Sequence, residues 1–248
     1  MLPPAFPLSS TRTAMRLRTR TRGFTLVEIA VVLVVIGLLL GGLLRATQLT
    51  VGARVRDLAS QQDAVRTAYY GFYERYRAIP GDYSQAVANI KGATQNGNGN
   101  GRIEAGATPN ETILEWEHLA RAGYVNGSYT YAPTESDATS LKSKYGAYVK
   151  IVFDGIYGAG TDTNPSTLRH NIKTGPNVPV EVLAELDRKI DDGRPNTGSF
   201  QFSRYESNGS GAPTDGSPTA PSCTSALDAS AAWNANNGSS NCGGASLL

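Results

Sequence analysis

The chain has 248 residues, of which 40% are hydrophobic, and its 23 basic side chains nearly balance its 21 acidic ones, leaving a formal net charge of +2. This length is ample for a domain with a real hydrophobic core, and so small a charge argues against general binding to nucleic acid. The two histidines, His118 and His170, lack the spacing of metal ligands, and no phosphate-binding glycine loop follows a strand. His118, beside Glu117, is expected on the surface of a helix. We therefore predict a protein that is not an enzyme.

Residues 1–23 form a basic leader that contains no acidic side chain. Its arginines are Arg12, Arg16, Arg18, Arg20 and Arg22. Positive charge on one flank of an apolar segment keeps that flank in the cytoplasm. We therefore expect the N-terminus inside the cell and the bulk of the chain on the exported side.

An apolar run follows the leader over residues 24–44, and Glu28 is its only ionisable side chain. As a helix this run would be roughly 30 Å long, which is enough to cross the hydrocarbon core of a bilayer. A secretory signal peptide would have a shorter apolar region, and a buried core helix would not be apolar over such a length. A plain membrane anchor is the third alternative, but it has no need of a carboxylate at membrane depth.

The stretch GFTLVE at residues 23–28 resembles the processing motif of type IV pilins and of the pseudopilins of type II secretion. The resemblance implies that prepilin peptidase cleaves after Gly23 and that Phe24 becomes the N-methylated first residue. It also implies that the Glu28 carboxylate pairs with the N-terminal amine of a neighbouring subunit. Because a buried charge is tolerated when it is paired, Glu28 would then set the register of assembly.

Beyond the apolar run, the pattern becomes that of an amphipathic helix. One stripe, at alternating spacings of four and three, contains Val51, Val55, Leu58, Gln62, Val65, Tyr69, Phe72, Tyr76 and Ile79. Such spacing places side chains on one helix face, and Pro80-Gly81 ends the pattern. We predict one long helix over residues 24–79, transmembrane over 24–44, whose second half packs on the chain's own head. A coiled-coil dimer is the alternative.

Residues 80–205 are predicted to form a globular head of the α+β class. Short helices are expected at residues 110–121 and 180–190, and strands at 124–131, 148–153 and 199–205. The long helix would then pack on a small antiparallel sheet. This is the pilin-like fold that the resemblance implies.

Residues 206–248 form a coil-rich segment of Gly, Ser, Ala, Asn, Thr and Pro that has little to bury, and we expect it to stay flexible. It contains both cysteines of the chain, Cys223 and Cys242. Because oxidation is permitted on the exported side, we expect a disulfide, which the chain-entropy model values at roughly 3 kcal/mol. Two free thiols are the alternative. The resembled family often has such a C-terminal disulfide loop.

The stretch NGNGNGRIE at residues 96–104 suggests an ion site. Positions of an EF-hand-like calcium loop are matched by Asn96, Asn98, Asn100, Gly101 and Ile103. Oxygens for calcium would come from these asparagines and from Glu104, Asp82 or Glu111. A flexible Asn-Gly turn is the alternative, since amides replace the usual carboxylates. Calcium is the only cofactor that the residues suggest.

A second group of acidic residues, Asp187, Asp191 and Asp192, could also bind an ion. We interpret it instead as the solvated end of the second predicted short helix.

The resemblance implies a structural subunit of a type II secretion pseudopilus or of a type IV pilus. Such a subunit spans the inner membrane once, keeps its head in the periplasm, and later lies in a filament or at the cell surface. Its implied partners are prepilin peptidase, other pilin-like subunits, an inner-membrane assembly platform and membrane lipid. The alternative is a membrane-tethered periplasmic binding protein that does not polymerise.

Overall fold

The computed structural model describes residues 23–161, 163–207, 209–218, 221–237 and 239–248. The chain divides into two units between Ala46 and Thr47, and helix α1, Leu26–Tyr76, contributes residues to both. Apart from Gly23, the predicted basic leader lies outside the described residues. No helix within the described ranges combines the length and the apolar character needed to cross a membrane.

The first unit presents an apolar helix surface. Every side chain that is described there, over residues 23–42, is exposed. The large apolar side chains from Phe24 to Leu40 keep between 45% and 91% of their surface accessible. Exposure of this extent on consecutive apolar residues is typical of a surface that another apolar phase or partner covers.

In the second unit, the predicted stripe of α1 packs on the head. Six of its members are buried: Val55, Leu58, Gln62, Val65, Tyr69 and Phe72. Val51, Tyr76 and Ile79 are partly buried against the same clusters. The helical period of the sequence therefore identified the face of α1 that packs on the chain's own domain, and this prediction is confirmed.

Within the described residues, four strands form one antiparallel sheet in the order β1-β2-β4-β3. The strands are β1 Lys150–Asp154, β2 Arg169–Lys173, β3 Phe200–Phe202 and β4 Gly244–Leu247. Ile151 pairs with Ile172 across β1 and β2, and both belong to the hydrophobic cluster that contains Val65 and Phe72 of α1. The predicted α+β class, with the helix packed on a small antiparallel sheet, is confirmed.

Three short α-helices lie in the described part of the head: α2 Ala86–Asn89, α3 Glu111–Arg121 and α4 Val180–Ile190. A 3-10 turn is formed by Ala235–Asn237. The Asn110 side chain accepts a hydrogen bond from the Thr112 N–H and so caps α3. Helices α3 and α4 agree with the predicted ranges, because each carries an apolar face of helical period. Ile190, which the pattern places inward, is exposed.

The sheet differs from the prediction at residues 124–131, which form no strand. There Tyr124 and Tyr129 pack on the cluster around Phe72, and the Tyr131 N–H donates to the Glu117 side chain at 2.7 Å. The tyrosines that suggested a strand therefore serve as packing groups in an irregular segment.

The C-terminal segment also differs from the prediction. Its last residues are not flexible coil but strand β4, which lies between β2 and β3. Ala245 pairs with Lys173 on one side and with Gln201 on the other. Gly244 lies directly against the Phe200 ring, where a side chain would overlap it. Pairing on both sides, rather than hydrophobic alternation, makes this stretch of small residues a strand.

Candidate functional site

The start of α1 is organised by two side chains that bond each other's backbone. The Glu28 Oε2 accepts from the Thr25 N–H at 2.8 Å and from the Thr25 hydroxyl at 2.9 Å. In return the Glu28 N–H donates to the Thr25 Oγ1 at 3.2 Å. This is a capping box, in which two unpaired helix N–H groups are satisfied reciprocally. The Thr-x-x-Glu spacing of residues 25–28 is the sequence signature of such a cap.

Gly23 and Phe24 precede this cap without helical structure. Phe24 keeps 84% of its surface exposed, and a side chain at Gly23 would meet no other atom of the chain within 4 Å. The peptide bond between them is therefore outside the helical hydrogen-bond ladder and open to another protein. Gly23 and Phe24 thus lie immediately before the first turn of the helix, which contains Glu28.

Helix α3 carries four polar side chains that are completely buried. They are Glu111, Glu115, Glu117 and His118. The prediction that His118 lies on the helix surface is wrong, because its side chain is completely buried. Buried polar groups need hydrogen-bond partners, and backbone groups from several distant segments provide them. Since those segments are remote in sequence, no local sequence pattern predicts that these polar side chains of α3 are buried.

His118 and Glu115 illustrate this arrangement. The Gly81 N–H donates to His118 Nδ1 at 3.0 Å, so Nε2 carries the proton and donates to the Gln95 carbonyl at 3.1 Å. Burial lowers the pKa of His118 and keeps it neutral. The Ile151 N–H of β1 donates to Glu115 at 2.7 Å, and burial raises the pKa of this carboxyl well above its ordinary value. Helix α3 therefore joins the segment of residues 81–95, which contains α2, to the edge of the sheet.

Replacing Glu117 by alanine should lower the free energy of unfolding by about 2 kcal/mol, because it takes the acceptor from three donors in partly buried hydrogen bonds. Those donors are the N–H and hydroxyl of Thr94 and the N–H of Tyr131. Urea denaturation of the full chain measures the change. Glu117→Gln keeps one acceptor oxygen and should lose less, and Glu74→Ala on the exposed face of α1 should change little. Equal midpoints for Glu117→Ala and Glu74→Ala would contradict this role.

The predicted calcium loop is held by side-chain oxygens that accept backbone N–H groups. The Asp82 carboxylate accepts from the N–H groups of Asn100 and Gly101, each at 2.9 Å. The Glu111 carboxylate accepts from those of Asn98 and Glu104, at 3.0 and 3.1 Å. Burial raises the pKa of both carboxyls, and each is raised further by the nearby Glu104.

The four predicted ligand residues are not all in the same place. Asn98, Asn100 and Glu104 lie around the two buried carboxylates, and the Asn100 amide donates to Glu104 at 2.8 Å. The Asn96 side chain instead accepts from the Val87 N–H of α2 at 2.8 Å. At Gly97 a side chain would overlap the backbone of residues 81–82. Close approach of two chain segments therefore requires glycine there.

A second acidic group lies at the end of α4. The carboxylates of Asp187, Asp191 and Asp192 come within 4.8 Å of one another. The sequence suggested a solvated helix end, but Asp187 is fully buried and accepts from the Trp233 ring N–H at 2.6 Å. Burial raises the pKa of Asp187 to about 7. This aspartate thus anchors the C-terminal segment to α4.

Cys223 and Cys242 form the predicted disulfide. Both are completely buried, in the cluster that contains Phe200 and Trp233. The backbone of Cys242 also pairs with that of Val178 in an isolated antiparallel bridge. The disulfide therefore closes a loop within the C-terminal segment. The backbone bridge from Cys242 to Val178 ties this loop to the head immediately before β4.

Comparison with known proteins gives one family match in the N-terminal region. The model of the prokaryotic N-terminal methylation motif matches residues 18–44. This range contains the Gly23–Phe24 bond, the capping box and the start of the apolar helix. No curated protein and no solved structure matches the chain.

Proposed function

The chain carries the N-terminal methylation motif, the hallmark of type IV pilins and pseudopilins, and we propose that its mature form is a structural subunit that assembles into a filament. The observation that carries this proposal is the position of Glu28. Its carboxylate lies on an exposed apolar helix, one turn from the residue that becomes the N-terminus after cleavage. The filament is either a type II secretion pseudopilus or a type IV pilus.

Membrane anchorage is the second part of the proposal. Residues 24–44 would cross the inner membrane once, with the leader in the cytoplasm and the head in the periplasm. The basic leader supports this orientation, and the exposed apolar side chains of residues 24–40 support contact with lipid. A disulfide in the head is consistent with an exported, oxidising location. An inner-membrane assembly platform would extract the subunit from this position.

The Glu28 carboxylate would exchange partners during assembly. In the single chain it is satisfied by the N–H and hydroxyl of Thr25. After cleavage, the free amine of Phe24 places a positive charge in the same apolar layer. Two charges in a low dielectric are tolerated when they pair, and pairing is available between subunits. The carboxylate thus favours one register of neighbouring helices.

Cleavage between Gly23 and Phe24 is the first expected result. Mass spectrometry of the mature protein should find N-methylated Phe24 at its N-terminus in cells with active prepilin peptidase. Gly23→Val should retain the leader, because the added side chain obstructs the peptidase but meets no other atom of the chain. An intact Met1 terminus in wild-type membranes would contradict this processing.

The same variant separates the proposal from its alternative, a membrane-tethered periplasmic binding protein. A filament subunit that keeps its leader should be absent from sheared filaments although it is abundant in membranes. A tethered binding protein needs no free N-terminus and should act normally with the leader attached. The comparison requires equal membrane amounts of the Gly23→Val and wild-type chains.

Calcium binding near Asn98, Asn100 and Glu104 is a second proposed property. Asp82 and Glu111 are 4% and 0% exposed, and in the described part of the chain neither takes part in a salt bridge. A divalent cation with oxygen ligands would supply the missing positive charge.

Titration of the detergent-solubilised full chain with calcium should raise its melting temperature, and magnesium should raise it less. Asn98→Ala should reduce the calcium effect, whereas Asn126→Ala, in an exposed turn remote in sequence, should leave it unchanged. Weak extracellular sites bind calcium at roughly 10⁻⁴–10⁻³ M. If millimolar calcium produces no heat of binding and no shift in melting temperature, the proposal of a calcium site is wrong.

A further inference from the structure

The described residues contain four Asn-Gly pairs, three of them consecutive. The consecutive pairs begin at Asn96, Asn98 and Asn100, and the fourth is Asn126-Gly127. Asn-Gly pairs at 208–209 and 237–238 include residues outside the described ranges. Such pairs are chemically reactive because glycine has no side chain to hinder attack by its own nitrogen on the preceding asparagine.

The reaction is spontaneous deamidation. Hydroxide removes the proton of the glycine N–H, and the nitrogen attacks the side-chain carbon Cγ of asparagine. A C–N bond forms, the Cγ–Nδ2 bond breaks, and ammonia leaves with a proton from water. Water then opens the resulting succinimide at either carbonyl and produces aspartate or isoaspartate. The reaction therefore needs a glycine N–H that can lose its proton and a side-chain amide that can turn toward it.

In the consecutive pairs, all three glycine N–H groups are engaged. The Gly97 N–H donates to the Tyr83 carbonyl at 3.0 Å, and the Gly99 N–H to the Asp82 carbonyl at 2.9 Å. The Gly101 N–H donates to the Asp82 carboxylate at 2.9 Å. Loss of any of these protons would leave a negative nitrogen facing an oxygen at that distance, and for Gly101 that oxygen carries negative charge.

The side-chain amides of the same pairs are also held. The oxygens of Asn96, Asn98 and Asn100 accept from the N–H groups of Val87, Asn100 and Arg102 respectively. Each of these bonds is 2.8 or 2.9 Å long. Rotation of an asparagine amide toward the glycine nitrogen would break the hydrogen bond that this amide accepts. Both reacting groups are thus constrained at each of the three positions.

The Asn126-Gly127 pair lacks these constraints. Both residues are exposed, and within the described ranges neither the Asn126 side chain nor the Gly127 N–H makes a hydrogen bond. Gly127 has a φ of 129°, a backbone conformation that depends on glycine. Here the nitrogen is accessible to hydroxide and the amide is free to turn.

We propose that Asn126 is a site of spontaneous deamidation in the folded protein and that the fold protects Asn96, Asn98 and Asn100 from the same reaction. Conversion of Asn126 adds one negative charge to the surface of the head just after α3. Reaction at the three protected positions requires the loop to open locally. The deamidation rate there is therefore proportional to the small fraction of molecules in which the loop is open, and the free energy of opening sets that fraction.

The test is incubation of the full chain in mildly alkaline buffer, followed by peptide mapping that separates aspartate from isoaspartate. The same chain in denaturant is the reference for each position. Asn126 should react in the native protein at a rate close to its denatured rate. Asn96, Asn98 and Asn100 should each react at least about tenfold more slowly than in the denatured chain. Asn126→Gln should reduce the acidic species that accumulates with time on isoelectric focusing.

Asp82→Ala tests the mechanism at one position. It removes the acceptor of the Gly101 N–H but leaves the backbone carbonyl that holds Gly99. Deamidation should therefore accelerate at Asn100 more than at Asn96 or Asn98. An unchanged Asn100 rate would show that this hydrogen bond does not protect it. The proposal as a whole fails if the three consecutive pairs react as fast in the native as in the denatured chain, or if native Asn126 is protected as strongly as they are.

Discussion

Replacing Glu28 by alanine should abolish or strongly reduce incorporation into filaments while membrane insertion and cleavage after Gly23 stay near wild type. The change removes a charge at membrane depth, so insertion should be unharmed or slightly easier. In the assembled state it leaves the Phe24 amine of a neighbouring subunit unpaired. Breaking one side of a buried ion pair costs about 3–5 kcal/mol. The measurement is the amount of subunit in sheared filaments, normalised to the cleaved protein in membranes.

Glu28→Gln separates the charge from the helix cap. Glutamine retains an acceptor for the N–H and hydroxyl of Thr25, which hold Glu28 in the single chain, but it carries no charge. If pairing with the amine sets the register, the Gln and Ala variants should have similar defects. If the cap alone matters, Gln should behave like wild type and Thr25→Ala should be defective. Normal incorporation of cleaved Glu28→Ala protein would exclude any assembly role for this carboxylate.

Replacing both Cys223 and Cys242 by serine should lower the free energy of unfolding of the head by about 3 kcal/mol. The disulfide links residues 19 positions apart, and Cys242 lies two residues before β4. Without it, the unfolded chain gains conformational freedom, and the segment that leads into the centre of the sheet loses an anchor. Urea denaturation of the full chain measures the change.

Reduced wild-type protein is the matched control for the serine variant. Both lack the covalent link, so both should unfold at a similar urea concentration, well below that of the oxidised wild type. The reductant should not shift the midpoint of the serine variant. A serine variant as stable as the oxidised wild type would mean that pairing of β4 and the burial of Trp233 hold the C-terminal segment alone.

The features that the sequence predicted correctly depend on local patterns. The buried stripe of α1 follows from helical period, and α3 follows from its cap at Asn110 and its apolar face. The methylation motif at residues 18–44 is contiguous in sequence and is confirmed by the family match. The predicted disulfide is confirmed, and it was predictable because the chain has only two cysteines, which leaves one possible pairing. In each case the deciding residues lie close together in the chain or have no competing partner.

The features that were missed depend on residues far apart in sequence. Strand β4 contains Gly244, Ala245 and Ser246, and nothing in that composition predicts a strand. Its place in the sheet comes from pairing with β2 and β3 on its two sides. Likewise, Glu117 and His118 appear polar and therefore exposed in sequence. They are buried because loop backbone groups up to 37 residues away bond to them.

The sequence by itself determined the positions of α3 and α4, the face of α1 that packs inward and the N-terminal methylation motif, because periodicity and short-range hydrogen bonds need only neighbouring residues. Only the tertiary structure decided that the C-terminal segment completes the sheet, that the α3 glutamates hold the loops, and that the three consecutive Asn-Gly pairs have their N–H groups engaged. Each of these depends on hydrogen bonds between segments whose approach is set by the packing of the whole head, and such contacts leave no periodic trace in the chain.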